Sequence, residues 1–275
     1  MITFVFGKPG VGKTAFLCAD AVLYLMGSAQ STELWLDCCS EVSSLGYPVP
    51  EHAPVYSNFS INVTTGYNKV VGSYYIDGFH LGFENPYVPV MPVFPGSKIY
   101  LSEAQRYYNS RKSRELPDWV SRYYEEHRHF GLDIMLDVQR PGLIDVNIRD
   151  IAGRFIEMQG VEVSEDKGCT KSTTFYYREF TSWSEVDRYL TSGAETYKEQ
   201  TLTVPFNVFE HFRSQSYYES FLPAGDFWTM PHAEFLDVDD VEFAKTMYQQ
   251  TPPEGFYNSS AKQKDQKKNR SIDYD

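Results

Sequence analysis

The chain has 275 residues, enough for one large α/β domain with an appendage or for two small domains. Its formal net charge of −12 argues against a protein that coats nucleic acid through a broadly basic surface, though a narrow basic loop could still touch DNA. No stretch approaches the roughly 20 apolar residues of a membrane span, and Cys18, Cys38, Cys39 and Cys169 lack the C-x-x-C spacing of a zinc or redox site.

Ile2-Thr3-Phe4-Val5-Phe6 reads as a buried strand, which leaves no room for a signal peptide at this end. Gly7-Lys8-Pro9-Gly10-Val11-Gly12-Lys13-Thr14 follows and fits G-x-x-x-x-G-K-[S/T] without a gap. Ala15 to Met26 reads as a helix with Phe16, Ala19, Val22, Leu23 and Met26 on one stripe. The loop therefore lies between a strand and a helix N-terminus. There its backbone N–H groups can close around phosphate oxygens and the helix dipole favours an anion. In such a loop Lys13 reaches the β- and γ-phosphates and the Thr14 hydroxyl ligates Mg²⁺, so ATP and Mg²⁺ are the expected cofactors.

From about residue 40 to residue 96 the helical periodicity fades, and the region reads as an inserted loop and hairpin segment. Ala53 to Phe59 contains a short strand and its exit. Ser73 to Phe79 predicts a hairpin turning at Asp77-Gly78. Pro86, Pro89, Pro92 and Pro95 punctuate a loop that cannot be a central strand. Lys98 to Leu101 is the next strand, and it delivers Ser102 and Glu103 to its tip. Hydrolysis needs an acid for Mg²⁺ and a group that polarises water there. Glu103 is the candidate for the water. Ser102 stands at the metal position, where Asp is usual, and brings no charge. The plainer alternative is an ordinary strand that ends in a solvated Glu.

Leu116 to Phe130 predicts a helix opened by Pro117 and Asp118 and ended by Gly131. His127-Arg128-His129 is a poor metal site, because i and i+2 on a helix point apart; a polar helix end accounts for it better. Ile134 to Val138 is a strand, and Gln139 just beyond it could sense a γ-phosphate or simply close the strand. Arg140 and Arg149 are candidate arginine fingers acting across a subunit boundary, or else surface ion-pair residues. Asp145 to Gly153 predicts a short helix, Phe155 to Met158 and Thr173 to Phe180 strands, and Ser184 to Leu190 a helix capped by Ser184. Strands alternating with helices around a phosphate loop imply a P-loop NTPase fold with a mostly parallel, doubly wound sheet. The expected domain covers 1–205, with an irregular, aromatic-rich extension at 206–275 that ends in a basic, disordered tail.

With these motifs in place the chain resembles the zonular occludens toxin (Zot) family, which includes assembly ATPases of filamentous bacteriophages. The resemblance rests on Gly7 to Thr14, on Val55-Tyr56-Ser57-Asn58, and on Tyr100-Leu101-Ser102-Glu103-Ala104-Gln105-Arg106. Its most specific block runs from Leu116-Pro117-Asp118-Trp119-Val120 through His127-Arg128-His129-Phe130-Gly131-Leu132-Asp133 to Gln139-Arg140. It implies an oligomeric, ring-forming ATPase in the host cytoplasm, at the cytoplasmic face of the inner membrane. Such a motor drives assembly and extrusion of a virion around single-stranded DNA, with phage coat and membrane assembly proteins as partners. Lys13 and Thr14 carry over as phosphate and Mg²⁺ contacts, Glu103 as the catalytic acidic residue and Gln139 as the sensor. The tail Lys262 to Arg270 suits either a peripheral contact with anionic lipid or a solubilising end. Ser102 keeps open a second reading, an ATP-binding switch or scaffold with weak hydrolysis. A secreted toxin, which the family name evokes, fits the phosphate loop least.

Overall fold

The computed structural model describes residues 1–27, 53–64, 70–76, 90–91, 96–116, 118–129, 131–166, 170–213 and 230–231. The strands, in chain order, are β1 (Ile2–Phe6), β2 (Val55–Ser57), β3 (Ser60–Thr64), β4 (Val70–Gly72), β5 (Tyr74–Tyr75), β6 (Val90–Met91), β7 (Lys98–Leu101), β8 (Asp133–Val138), β9 (Arg154–Asp166), β10 (Thr170–Phe180), β11 (Lys198–Val204), β12 (Phe212–Arg213) and β13 (Met230–Pro231). The α-helices are α1 (Lys13–Gly27), α2 (Asp118–Glu125), α3 (Val146–Asp150) and α4 (Trp183–Ser192).

Eight strands form one sheet in the order β11-β10-β9-β1-β8-β7-β2-β5. From β9 to β5 every neighbouring pair is parallel. The phosphate-loop strand β1 and the strand that carries Glu103 at its tip, β7, are thus separated by one strand, β8. This is an α/β P-loop NTPase architecture with a mostly parallel sheet, as the alternating pattern predicts. β10 and β11 add an antiparallel edge. β10 runs antiparallel to β9 because the connection between them is short and a parallel crossover needs a dozen residues or more, and β11 returns along β10 after α4.

Strand alternation decides which side chains face which layer. Ile2, Phe4 and Phe6 of β1, Ile99 and Leu101 of β7, and Ile134, Leu136 and Val138 of β8 share one core with Val120 and Tyr124 of α2, Ile148 of α3 and Val186 of α4. Val5, Tyr100 and Met135 point to the other face and pack on α1. Tyr100 is buried there and donates to Asp20 of α1 at 2.6 Å. The helices on the two faces make the sheet doubly wound.

Several predicted details are corrected. In α1, Leu23 and Met26 are exposed, whereas Ala15, Leu17, Cys18, Ala21 and Leu25 are buried with Phe16, Ala19 and Val22. The helix has contacts with the sheet on one side and with β3 and residues 208–210 on the other, so a single stripe does not describe it. Tyr74–Tyr75 pairs parallel to β2, at the sheet edge among the described residues. β3 pairs antiparallel with β4. Asp77-Gly78, the four loop prolines and the basic tail lie outside the described residues. The cap of α4 is Ser182, whose hydroxyl accepts from the Glu185 N–H, and not Ser184. At the polar end of α2, Arg128 and His129 are exposed but His127 is buried, and its Nδ1–H donates to the Tyr124 carbonyl at 2.6 Å. Phe206, Val208 and Phe212, past residue 205, pack into the same core as α1. No helix among the described residues is long and apolar enough to cross a membrane.

Candidate active site

The loop Gly7–Thr14 connects β1 to α1, with Lys8, Pro9 and Gly10 exposed. Gly12 has a φ of +91°, and a Cβ there would stand 2.8 Å from Val161 Cγ1 on β9. Only glycine fits both constraints. Gly7 is equally confined, since its Cβ would lie 3.0 Å from the Met158 carbonyl. The turn therefore closes tightly against β9, and Phe16 N–H donates to the Gly12 carbonyl to begin the helix. Lys13 is buried except for its reach across the loop, where Nζ donates to the Lys8 carbonyl at 3.3 Å.

The tips of β7 and β8 meet this loop through a residue that the motif reading passed over. Asp137 is fully buried at the end of β8. Alternation puts it on the α1 face, since Leu136 and Val138 occupy the other. Its Oδ2 accepts from Thr14 Oγ1 at 2.7 Å and from Ser102 Oγ at 2.8 Å, and its Oδ1 accepts from the Glu103 N–H at 3.0 Å. One carboxylate thus ties the phosphate loop to both strand tips. Burial pushes its pKa above the ordinary range, while the Glu103 N–H, the two hydroxyls and the charge of Lys13 pull the other way.

Glu103 is partly buried and adopts φ 55°, ψ 45°, the one non-glycine residue in the left-handed region among those described. Such a conformation costs of order 1–3 kcal/mol and collects at functional sites. Gln139 Nε2 donates to Glu103 Oε2 at 3.4 Å, and Gln105 Nε2 donates to the same oxygen. The sequence-predicted Glu103 and Gln139 are therefore brought together. Asn58, just past β2, holds the other side of the tip: its Oδ1 accepts from Ser102 N–H at 2.7 Å and its Nδ2 donates to the Ser102 carbonyl at 2.8 Å. The two bonds imitate a further step of β2–β7 pairing.

The arginines separate. Arg140 is exposed next to Gln139. Arg149 stacks over Trp183 at 4.3 Å and pairs with Asp150 at 3.4 Å, so its side chain is engaged by residues of α3 and α4.

Thr14, Ser102 and Asp137 form an all-oxygen set with one carboxylate. That set suits Mg²⁺, a hard cation that takes one or two carboxylates plus phosphates and keeps several waters. No cluster of three or more His, Cys, Asp or Glu exists among the described residues, so an all-protein metal cage is not the pattern here. The residues fit Mg²⁺ that arrives with a nucleotide.

The motif reading missed Asp137, Asn58 and Gln105 as site residues. A signal for Asp137 was present, because a lone acid in the apolar run Ile134–Val138 must be paired if it is buried.

The family model described as Zonular occludens toxin (Zot) matches residues 85–217. The matched span contains Ser102, Glu103, Asp137, Gln139, Arg140 and Arg149, and it begins after the phosphate loop. The N-terminal domain of zonular occludens toxin from Neisseria meningitidis is similar in structure over 77% of this chain and 98% of that one, at 16% identity and a TM-score of 0.46. The genome packaging NTPase B204 from Sulfolobus turreted icosahedral virus 2, in complex with ATP-gammaS, is similar over 72% of this chain and 95% of that one, at 10% identity and a TM-score of 0.36. No curated protein matches the chain in sequence.

Proposed function

We propose that the chain is a phage ATPase motor that drives assembly and extrusion of filamentous virions, or of their single-stranded DNA, at the cytoplasmic face of the host inner membrane. It works as an oligomeric ring with phage coat and membrane assembly proteins as partners. The match of residues 85–217 to the Zot model supports the phage assignment. The observation that carries the ATPase reading is the convergence of Thr14, Ser102, Asp137, Glu103 and Gln139 at the strand tips beside the loop.

In this reading the loop N–H groups and Lys13 bind the phosphates of ATP. Thr14, Ser102 and Asp137 would hold Mg²⁺, which would supply positive charge against the negative charge of the phosphates. Glu103 orients the attacking water and takes its proton, and Gln139 and Gln105 fix the carboxylate that does so. Arg140, exposed beside Gln139, is the better placed of the two arginines to reach a neighbouring protomer's nucleotide.

The test compares two variants of the full chain. Lys13→Ala lowers ATPase kcat/KM by about 10²–10³-fold, since one fixed charge on the phosphates is lost, and stops virion release. Glu103→Gln keeps ATP binding and lowers turnover by about 10²–10⁴-fold. Normal virus yield from Lys13→Ala would sink the motor reading. A second reading, a nucleotide-binding switch with weak hydrolysis, draws on the two glutamines that hold Glu103. Wild-type turnover no faster than that of Glu103→Gln decides for the switch.

A further inference from the structure

A Mg²⁺ site beside a phosphate loop needs a hydroxyl and a carboxylate side by side. The usual carboxylate position at the tip of the second strand is Ser102 here, and serine carries no charge. We propose that the cation's carboxylate has moved one strand over, and that Asp137 on β8 supplies the charge that Ser102 lacks. This rests on the nucleotide reading above.

The ladder makes the exchange possible. Leu101 pairs with Leu136 in the β7–β8 register, so the next step sets Ser102 beside Asp137 on the α1 face. Their side-chain oxygens already touch at 2.8 Å. A carboxylate on either strand reaches nearly the same space.

The hydrogen count shows what Asp137 does to its neighbours. Thr14 and Ser102 have one hydroxyl hydrogen each, and both are donated to Oδ2. The 3.0 Å approach of the two hydroxyl oxygens is therefore a contact and not a third hydrogen bond. Both hydroxyls are locked with their hydrogens toward the carboxylate, which leaves their lone pairs for a cation. The second carboxylate oxygen fixes the backbone of Glu103, so metal position and water-polarising group share one anchor.

A purely structural role explains Asp137 less well. It makes no ion pair within 4.0 Å among the described residues, although it is fully buried. Burying a charge without a partner is costly, and an asparagine could satisfy the same neighbours without one. A charge kept at that cost has a use, and a divalent cation beside the phosphate loop provides it.

The experiment measures affinity for a fluorescent ATP analogue with Mg²⁺ and with EDTA, and Mn²⁺ binding by electron paramagnetic resonance, on the full-length chain. The wild type binds nucleotide more tightly with Mg²⁺. Asp137→Asn loses that dependence and weakens Mn²⁺ binding by about 10–100-fold, the usual cost of disturbing a metal ligand shell. Adding the acid back on β7, as Ser102→Asp with Asp137→Asn, restores both. If Asp137→Asn melts early, the double variant still decides: a folded double variant without Mg²⁺ dependence overturns the proposal. Mg²⁺ dependence that survives in Asp137→Asn overturns it too and leaves the nucleotide reading standing. A wild-type chain with no affinity for ATP in either condition overturns the nucleotide reading and the proposal together.

Discussion

The phosphate loop and the β7–β8 tips solve the same electrostatic problem in opposite ways. In the proposed reading the loop gathers its phosphate-binding groups from the consecutive residues Gly7–Thr14, between one strand and one helix. The tips gather theirs from Asn58, Ser102, Glu103, Asp137 and Gln139, which only the strand order brings together. A contiguous device must keep its spelling, because each glycine answers a local backbone demand. A device built across strands can exchange roles between neighbours, because what counts is where the charge lies and not which strand carries it.

The largest expected effect tests whether the loop is as local as its motif makes it look. Gly12 touches Val161, far away in sequence, and its φ is one that side chains rarely adopt. Gly12→Ala is expected to lower nucleotide affinity by about 5–150-fold, from strain of roughly 1–3 kcal/mol. Adding Val161→Ala relieves the 2.8 Å contact but not the dihedral. Partial recovery in a nucleotide titration is therefore expected of the double variant. Full recovery would mean that long-range packing alone demands the glycine.

A smaller effect is expected at Asn58, which belongs to the cross-strand device. Asn58→Ala removes both bonds to the part-buried Ser102 backbone and is expected to cost about 0.5–1.5 kcal/mol. If the clamp also aims Glu103, kcat falls while KM for ATP barely moves. A change in KM alone would show that the tip holds its shape without the clamp.

The contrast also explains what the sequence made legible. Gly7–Thr14 could be read directly because its chemistry is contiguous and its context, strand then helix, is local. The parallel core was legible because β1, β7 and β8 are short apolar runs bounded by clear breaks. Glu103 and Gln139 could be placed at strand tips from the ends of those runs. Asp137 stood out only as a lone acid in an apolar run, and its role was hidden because its partners, Thr14 and Ser102, lie far off in sequence. The buried face of α1 was misjudged for a related reason. Its outer side is covered by β3 and residues 208–210, which no local period can announce.

The smallest effect is a pH dependence, and it separates the two devices most cleanly. Burial raises the Asp137 pKa in the folded chain above its unfolded value. The folded state therefore binds the proton more readily than the unfolded chain does. Below about pH 4, where the unfolded carboxyl is protonated too, Asp137 costs no stability. As pH rises through the raised folded pKa the cost accumulates, and above it the cost is complete. Asp137→Asn is free of that cost. Its amide suits the same neighbours, with Oδ1 accepting from Glu103 N–H and Nδ2 donating to hydroxyls that can rotate. With EDTA present and no nucleotide, the variant's melting temperature is expected to exceed the wild type's by a margin that widens from about pH 4 toward neutrality. A shift of about 2–4 °C corresponds to each kcal/mol for a chain of this size. Lys13→Ala, on the loop side, should not reproduce that trend. It removes a charge that favours the ionised Asp137, so the wild type should gain on it as pH rises. A flat difference for Asp137→Asn would mean that the hydrogen bonds to Asp137 fully offset its burial.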